Sequence, residues 1–335
     1  MGSTLMWWLT AIIAFATTAP IIEDRSQGNS ASAEHAIGKR QMLSEGQPIS
    51  ADGGGAPILG GTNKQIDLAN PDNLGAQKSD NGVVPNLKWS FSNSKTRILP
   101  GGWAREQVVT DLPSSHDISA AQQHLKKGAI RELHWHKVAE WGYVYAGSII
   151  VSAVDEDGRY QVDKLEVGDI WYFPKGAAHT IQGLSDENEY LLVFDTGNFD
   201  AIGEAVFDTV PSPNPYIFNA ENSDIPLTGP ESGLTGPSSY VFKLSQNKPL
   251  NIPGGGGNLT IVDSRNFPIS KTIAATIVSL EPGGLRELHW HPSAEEWLYF
   301  HQGQARATVF IGNANARTID FSAGDTGVFP NNSGM

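Results

Sequence analysis

Two stretches of the chain carry residue types that bind metals and hold small acids. GAIRELHWHKVAEWGYVYAG runs from Gly128 to Gly147, and GGLRELHWHPSAEEWLYFHQG runs from Gly283 to Gly303. Each writes Arg-Glu-Leu-His-Trp-His and then a carboxylate a few residues later. His134 and His136 are two apart, so on a strand both imidazoles lean to one face, and Glu140 keeps the same parity. His179, five residues beyond Pro174, can supply a fourth group. Three imidazoles and one carboxylate suit a borderline divalent ion such as manganese, iron or zinc, and the chain has no cysteine for a softer site. Polar histidines on a strand surface are the plain alternative. They do not account for the spacing to Glu140 and His179, nor for the pattern's return.

In the second stretch His289 and His291 match the first pair. Glu295 keeps strand parity with them. Glu296 instead shares with Glu140 a following Trp and a seven-residue step to glycine, Gly303 against Gly147. Glu296 is therefore the expected third ligand, at the cost of a one-residue bulge. Five residues beyond Pro330 stands Met335, so the fourth ligand is missing and the chain is expected to be cut short inside this motif. An incomplete barrel would expose sheet edges.

The elements that must carry these groups read as β. YVYAGSIIVSAVD, GDIWYFP and EYLLVFD are short runs rich in β-branched and aromatic residues, punctuated by Gly and Asp. Long amphipathic helical patterns are missing, which leaves a sandwich or jelly-roll barrel. Landmarks recur at a nearly constant offset: Trp89 to Trp103 parallels Tyr240 to Gly257, and Gly168 to Pro174 parallels Gly324 to Pro330. The expected fold class is all-β, two tandem barrels with the second incomplete, behind an extended N-terminal arm. The expected boundaries are a signal peptide (1–16), the arm or a propeptide (17–87), domain 1 (88–210), a Pro/Gly-rich linker (211–239) and domain 2 (240–335). Lys39-Arg40 is a candidate processing point within the arm.

Leu5 to Ala16 is an apolar run of secretory length ending in Ala14-Phe15-Ala16, too short for a comfortable membrane span. The sequons Asn258-Leu259-Thr260 and Asn331-Asn332-Ser333 fit export, so a secreted protein with no membrane attachment after signal removal is expected. The net charge of −13 argues against a nucleic-acid partner, and a small anionic substrate would have to be drawn in by local positive charge.

Gly128, His134-x-His136, Glu140 and Gly147 resemble the first cupin motif; Gly168, Pro174-x-Gly176 and His179 resemble the second, with Gly183 where the family often has Asn. Two such units, with RELHWH in both, are similar to the microbial bicupin oxalate decarboxylases and oxalate oxidases. The resemblance covers residues 85 to 335. It implies a pair of β-barrels, manganese in each, oxalate as substrate, dioxygen as co-catalyst or co-substrate, and trimers stacked into hexamers. It also implies that Arg131, though opposite in strand parity to His134, lies beside the metal and holds a carboxylate of oxalate, with Arg286 as its counterpart.

One segment departs from the pattern. Decarboxylases of this kind carry a Ser-Glu-Asn-Ser-Thr lid after the VFD-x-G-x-F segment, whereas here Asp200 to Glu204 reads DAIGE, with Ala201 at the glutamate position. The resemblance implies that this acid protonates the one-carbon radical left when oxidised oxalate loses carbon dioxide, and that without it a second electron is lost instead, which is oxidase chemistry. Glu204, three places on, is the candidate substitute proton donor; the alternatives are that the second barrel does the work, or that Asp200 and Glu204 are ordinary solvated loop acids. The expectation is a manganese-dependent oxalate decarboxylase, with oxalate oxidase as the alternative. Other readings are a non-catalytic storage bicupin, which would have lost the histidines kept here, and a metal-dependent dioxygenase or isomerase on another substrate.

Overall fold

The computed structural model describes residues 9–16, 80–199, 206–207 and 233–335. Lys39-Arg40, the Asp200–Glu204 lid with Ala201, and most of the arm and linker lie outside them. Among the described residues there is no α-helix, only strands and a few 3-10 turns.

Strand β1 (Leu9–Ala16) comes from the apolar N-terminal run, β2 (Lys88–Ser90) precedes the first barrel, and β3 (Thr96–Leu99) edges its larger sheet. That barrel is built from β4 (Gly102–Gln107), β5 (Ser119–Lys126), β6 (Ile130–His134), β7 (Glu140–Ala146) and β8 (Ser148–Val154). It continues through β9 (Tyr160–Glu166), β10 (Ile170–Phe173), β11 (Ala178–Gly183), β12 (Glu187–Phe194) and the short β13 (Val206–Phe207). The second repeat begins with β14 (Val241–Phe242), β15 (Leu250–Asn251), β16 (Gly257–Val262) and β17 (Ile273–Leu280). It ends with β18 (Glu296–Gln302), β19 (Gln304–Ile311), β20 (Asn315–Ser322) and β21 (Asp325–Phe329).

In the first barrel the sheet β14-β10-β7-β12-β5-β4-β3 packs on β13-β6-β11-β8-β9. Between them Leu125, Val144, Val151, Trp171, Tyr190 and Leu192 form the interior core. The other face of the larger sheet is buried too. Trp141, Tyr143, Leu191 and Val193 pack there against Trp297, Tyr299, Ile273 and Val328 of the second repeat. A strand covered on both faces needs apolar residues at every position, which is why EWGYVYA loses the usual alternation. The tight β7–β8 turn requires Gly147, whose φ is 72° and whose added Cβ would meet the Glu187 carbonyl at 2.2 Å.

The repeats exchange their leading strands. β2 pairs with β21 of the second repeat, and β14 pairs with β10 of the first. Val84 and Leu87, within the expected arm, are buried in the second repeat's core with Phe300, Phe321 and Phe329. The second repeat's large sheet runs β15-β16-β17-β1-β18-β21-β2, alongside the β19-β20 pair. There β1 lies parallel to both β17 and β18. The corresponding slot of the first barrel holds β12, antiparallel to both β5 and β7.

Candidate metal centre

His134 closes β6, His136 sits in the connection that follows, Glu140 opens β7 and His179 lies on β11. One donor atom from each of the four lies within 4.8 Å of the others, and all four residues are buried. Glu140 Oε2 is 3.1 Å from His136 Nε2 and 3.3 Å from His179 Nε2. The His134 ring is 4.2 Å from that of His179, centre to centre. His134 Nδ1 donates to the Glu132 carbonyl at 2.7 Å, and His179 Nδ1 to the Ala177 carbonyl at 2.9 Å. Each Nε2 is thereby left as the unprotonated nitrogen turned inward, the usual arrangement behind a metal-ligating imidazole.

Protonation follows the same lines. Burial, together with His179 and Arg131, holds His134 well below the ordinary imidazole value. Burial opposes ionisation of Glu140, but His179 and His136 outweigh it and keep the carboxyl well below its usual range. Neutral imidazole and ionised carboxylate are the forms that bind metal. His179 Nε2, buried and without a hydrogen bond, adds to the fit of this donor set to a divalent cation.

The convergence does not arise from one straight strand. β6 ends at His134, and Glu140 reaches the centre from the opposite sheet, so its parity with His136 is incidental. Arg131 also reaches the centre by a route that parity denied. In the β6–β11 pairing His179 faces His134 while Ile181 faces Arg131, so Glu132 and Leu133 together stand against Thr180 alone. That bulge returns Arg131 to the histidine face. The side chain is 1% exposed, with Nη2 2.9 Å from His134 Nε2.

Side chains that sequence reasoning missed complete the centre. Trp171 Nε1 donates to Glu140 Oε1 at 2.9 Å, leaving Oε2 to the histidines. Phe173 stacks on His179 at 4.2 Å, and Phe194 stands 5.0 Å from His136. The indole fits because Trp171 is paired with Gly142 on β7, where an added Cβ would lie 2.0 Å from it. The repeat held a signal for this. In the second unit the corresponding pair is Leu298 with Gly327, large and small exchanged.

The second centre brings together His289, His291 and Glu296, with both histidines only half buried. Glu296 Oε2 is 2.8 Å from His291 Nε2 and 3.3 Å from His289 Nε2. Burial works against the Glu296 charge, but hydrogen bonds from both histidines and the nearby Arg286 bring its pKa down to about 2. The expected bulge is not needed: residues 286–295 form no strand, and Glu296 opens β18 as Glu140 opens β7. With no indole opposite it, Glu296 Oε1 takes Arg286 Nη1 at 2.5 Å. The second arginine is thus committed to its own carboxylate. Met335 exchanges backbone hydrogen bonds with His289 at 3.0 and 2.9 Å, the place that His179 holds opposite His134. Glu204 lies outside the described residues; the nearest described strand, β13, pairs Val206 with Arg131.

The cupin family model matches residues 91–221 and 242–335. The chain is a cupin, of the bicupin oxalate decarboxylase family. A probable oxalate decarboxylase of Arthroderma benhamiae is 57% identical over 314 residues, 86% of this chain and 78% of that protein. The oxalate decarboxylase of Bacillus subtilis is 40% identical over 312 residues, 85% of this chain and 80% of that one. A structure of the Bacillus subtilis enzyme, from work on its Mn(II) centres, aligns with this bicupin at TM-score 0.72 and 40% identity, covering 86% and 82% of the two chains. A Lactobacillus farciminis oxalate decarboxylase in complex with formate aligns at TM-score 0.65 and 39% identity, covering 76% and 82%.

Proposed function

We propose that this bicupin is a secreted, manganese-dependent enzyme that splits oxalate into formate and carbon dioxide, using the first centre. The observation that carries the reading is Arg131: a buried guanidinium 2.9 Å from His134, beside three imidazoles and one carboxylate. A guanidinium there can hold a carboxylate of oxalate through charge-assisted hydrogen bonds, in a chain whose net charge of −13 repels a dianion at long range.

His134, His136, Glu140 and His179 would hold the ion, and Trp171 would keep Glu140 oriented. Bound manganese would supply a Lewis acid and a one-electron couple, with dioxygen as the accessory oxidant. Phe173, Phe194 and Phe199 form an apolar wall around the histidines, which keeps bulk water out and strengthens every charge interaction inside. Relatives named oxalate decarboxylases, at 40% to 57% identity, support the substrate.

Formate requires a carbon–carbon bond to break and a carbon–hydrogen bond to form, so one proton must be delivered at the reacting carbon. Glu204 is our candidate donor. Ala201, where such lids carry glutamate, favours the second reading: oxalate, dioxygen and two protons give two carbon dioxide and one hydrogen peroxide. Incubating the manganese-loaded chain with oxalate and measuring formate and peroxide decides between them. Peroxide without formate rejects the decarboxylase. Neither product, with metal bound, favours the storage reading.

Export rests on the Leu5–Ala16 run, and N-terminal sequencing of secreted protein tests it; cleavage after Ala16 would remove β1 from between β17 and β18. Self-association rests on the exposed Trp135 and Trp290, one beside each centre, and sedimentation tests it.

A further inference from the structure

Glu295, next to the candidate ligand Glu296, is turned out of the second centre and across the domain interface. It is 3% exposed. Its Oε2 accepts the His116 amide of the first domain at 3.1 Å, and the Asp117 and Ile118 amides face the same carboxylate. The first repeat has Ala139 at this position.

The far side of that loop leads to the first centre. The His116 carbonyl accepts the Gly197 amide at 2.9 Å, and Ser119 Oγ donates to the Thr196 carbonyl at 2.6 Å. A Cβ added at Gly197 would lie 2.4 Å from the Ser115 carbonyl and 2.5 Å from that of His116, so this turn is seated directly on the loop. Two residues on, Phe199 stacks on Phe194 at 4.0 Å, and both rings flank the candidate ligand His136.

We propose that Glu295 is a positioning residue for the first metal centre: from the second domain it fixes the 115–118 loop, which seats the Gly197 turn and holds Phe199 against His136. The position needs only an acceptor oxygen: burial pushes the Glu295 carboxyl up to about 8, and Oε2 can accept the His116 amide in either protonation state. The role makes physical sense of a sequence difference, Ala-Glu against Glu-Glu before the shared tryptophan, that metal ligation leaves unused. It rests on the metal reading given above.

The test compares Glu295→Ala, Glu295→Gln, Gly197→Ala and the Glu295→Ala/Gly197→Ala double variant of the full chain. Hydrogen exchange at the Gly197 amide is read on metal-free protein, and release of Mn(II) from the tighter site is followed against excess chelator. Glu295→Ala should speed Gly197 exchange on the order of tenfold, the cost of leaving one buried amide without its acceptor. It should speed Mn(II) release by roughly the same factor, the low end of outer-shell effects. Glu295→Gln, which keeps one acceptor oxygen, should stay within a few-fold of wild type. The double variant should release Mn(II) no faster than the worse single variant, because both act through one connection.

Unchanged exchange in Glu295→Ala overturns the proposal, and so do effects that multiply in the double variant. If the alanine variant does not fold, Glu295→Leu, which fills the space without an acceptor, replaces it in the same comparisons. A wild-type chain that binds no Mn(II) sinks the metal reading, while exchange at Gly197 still decides the linkage by itself.

Discussion

Trp171→Phe tests how the first centre is held. The substitution keeps an aromatic ring in the barrel interior and removes the indole N–H that donates to Glu140 Oε1 at 2.9 Å. A hydrogen bond to a charged acceptor contributes about 1.5–3 kcal/mol, which converts to a factor of about 10–150 in binding. Loss of an outer-shell partner typically weakens metal affinity by about 10–100-fold, the same range. Competition with a chelator of known affinity should therefore show Mn(II) binding at least about tenfold weaker at this site.

The second centre shows what replaces the indole. There Arg286 donates to Glu296 Oε1 at 2.5 Å, with Gly327 where Trp171 would be. Freed of its indole, Glu140 should draw Arg131 in the same way. The Michaelis constant for oxalate should then rise even at saturating manganese. Gly142→Ala is the companion variant, since its Cβ would sit 2.0 Å from the indole and displace it without removing it. Wild-type affinity in Trp171→Phe would refute the orienting role. Weakened metal binding with an unchanged Michaelis constant would refute the competition for Arg131.

Arg131→Lys, which keeps the charge and loses the planar fork, should lower turnover of oxalate per unit KM by about 10–100-fold with metal content unchanged, read by steady-state kinetics and metal analysis. Met335→His should raise the manganese retained after dialysis from one toward two per chain, because Met335 pairs with His289 where His179 pairs with His134; an unchanged ratio counts against that register. Gln107→Leu removes the acceptor that takes the Trp297 indole N–H at 2.8 Å inside the domain interface, and should cost about 1–3 kcal/mol in denaturant unfolding. Burial holds His301 below its ordinary value of 6.5, so the folded chain binds fewer protons there than the unfolded one. Its contribution to stability is present above pH 6.5 and lost as the pH falls below it, and His301→Gln should flatten the acid side of a melting-temperature profile.

What could be read in the sequence was whatever depends on spacing along one chain. The repeated His-Trp-His, a carboxylate at a constant step from glycine, and a histidine five residues past proline name the groups that the fold gathers at the first centre. What could not be read depends on register between strands. Parity along an assumed straight strand put Arg131 on the wrong face, because the bulge opposite β11 is a property of the pairing, not of RELHWH itself. Parity also gave Glu295 and Glu296 different claims on the second centre. Since residues 286–295 form no strand, parity had no purchase there, and the start of β18 decided for Glu296. The exchange of β2 and β14 was hidden because a two- or three-residue edge strand carries too few side chains to declare which sheet it completes. Trp171 shows how such hidden features become legible. A large residue opposite glycine in one repeat, and glycine opposite a large residue in the other, marks a cross-strand pair that each unit fills once from opposite sides. Only the unit that fills it with an indole on the β10 side gives its carboxylate a neutral donor, and that choice leaves one arginine beside the histidines while the other is held by its own glutamate.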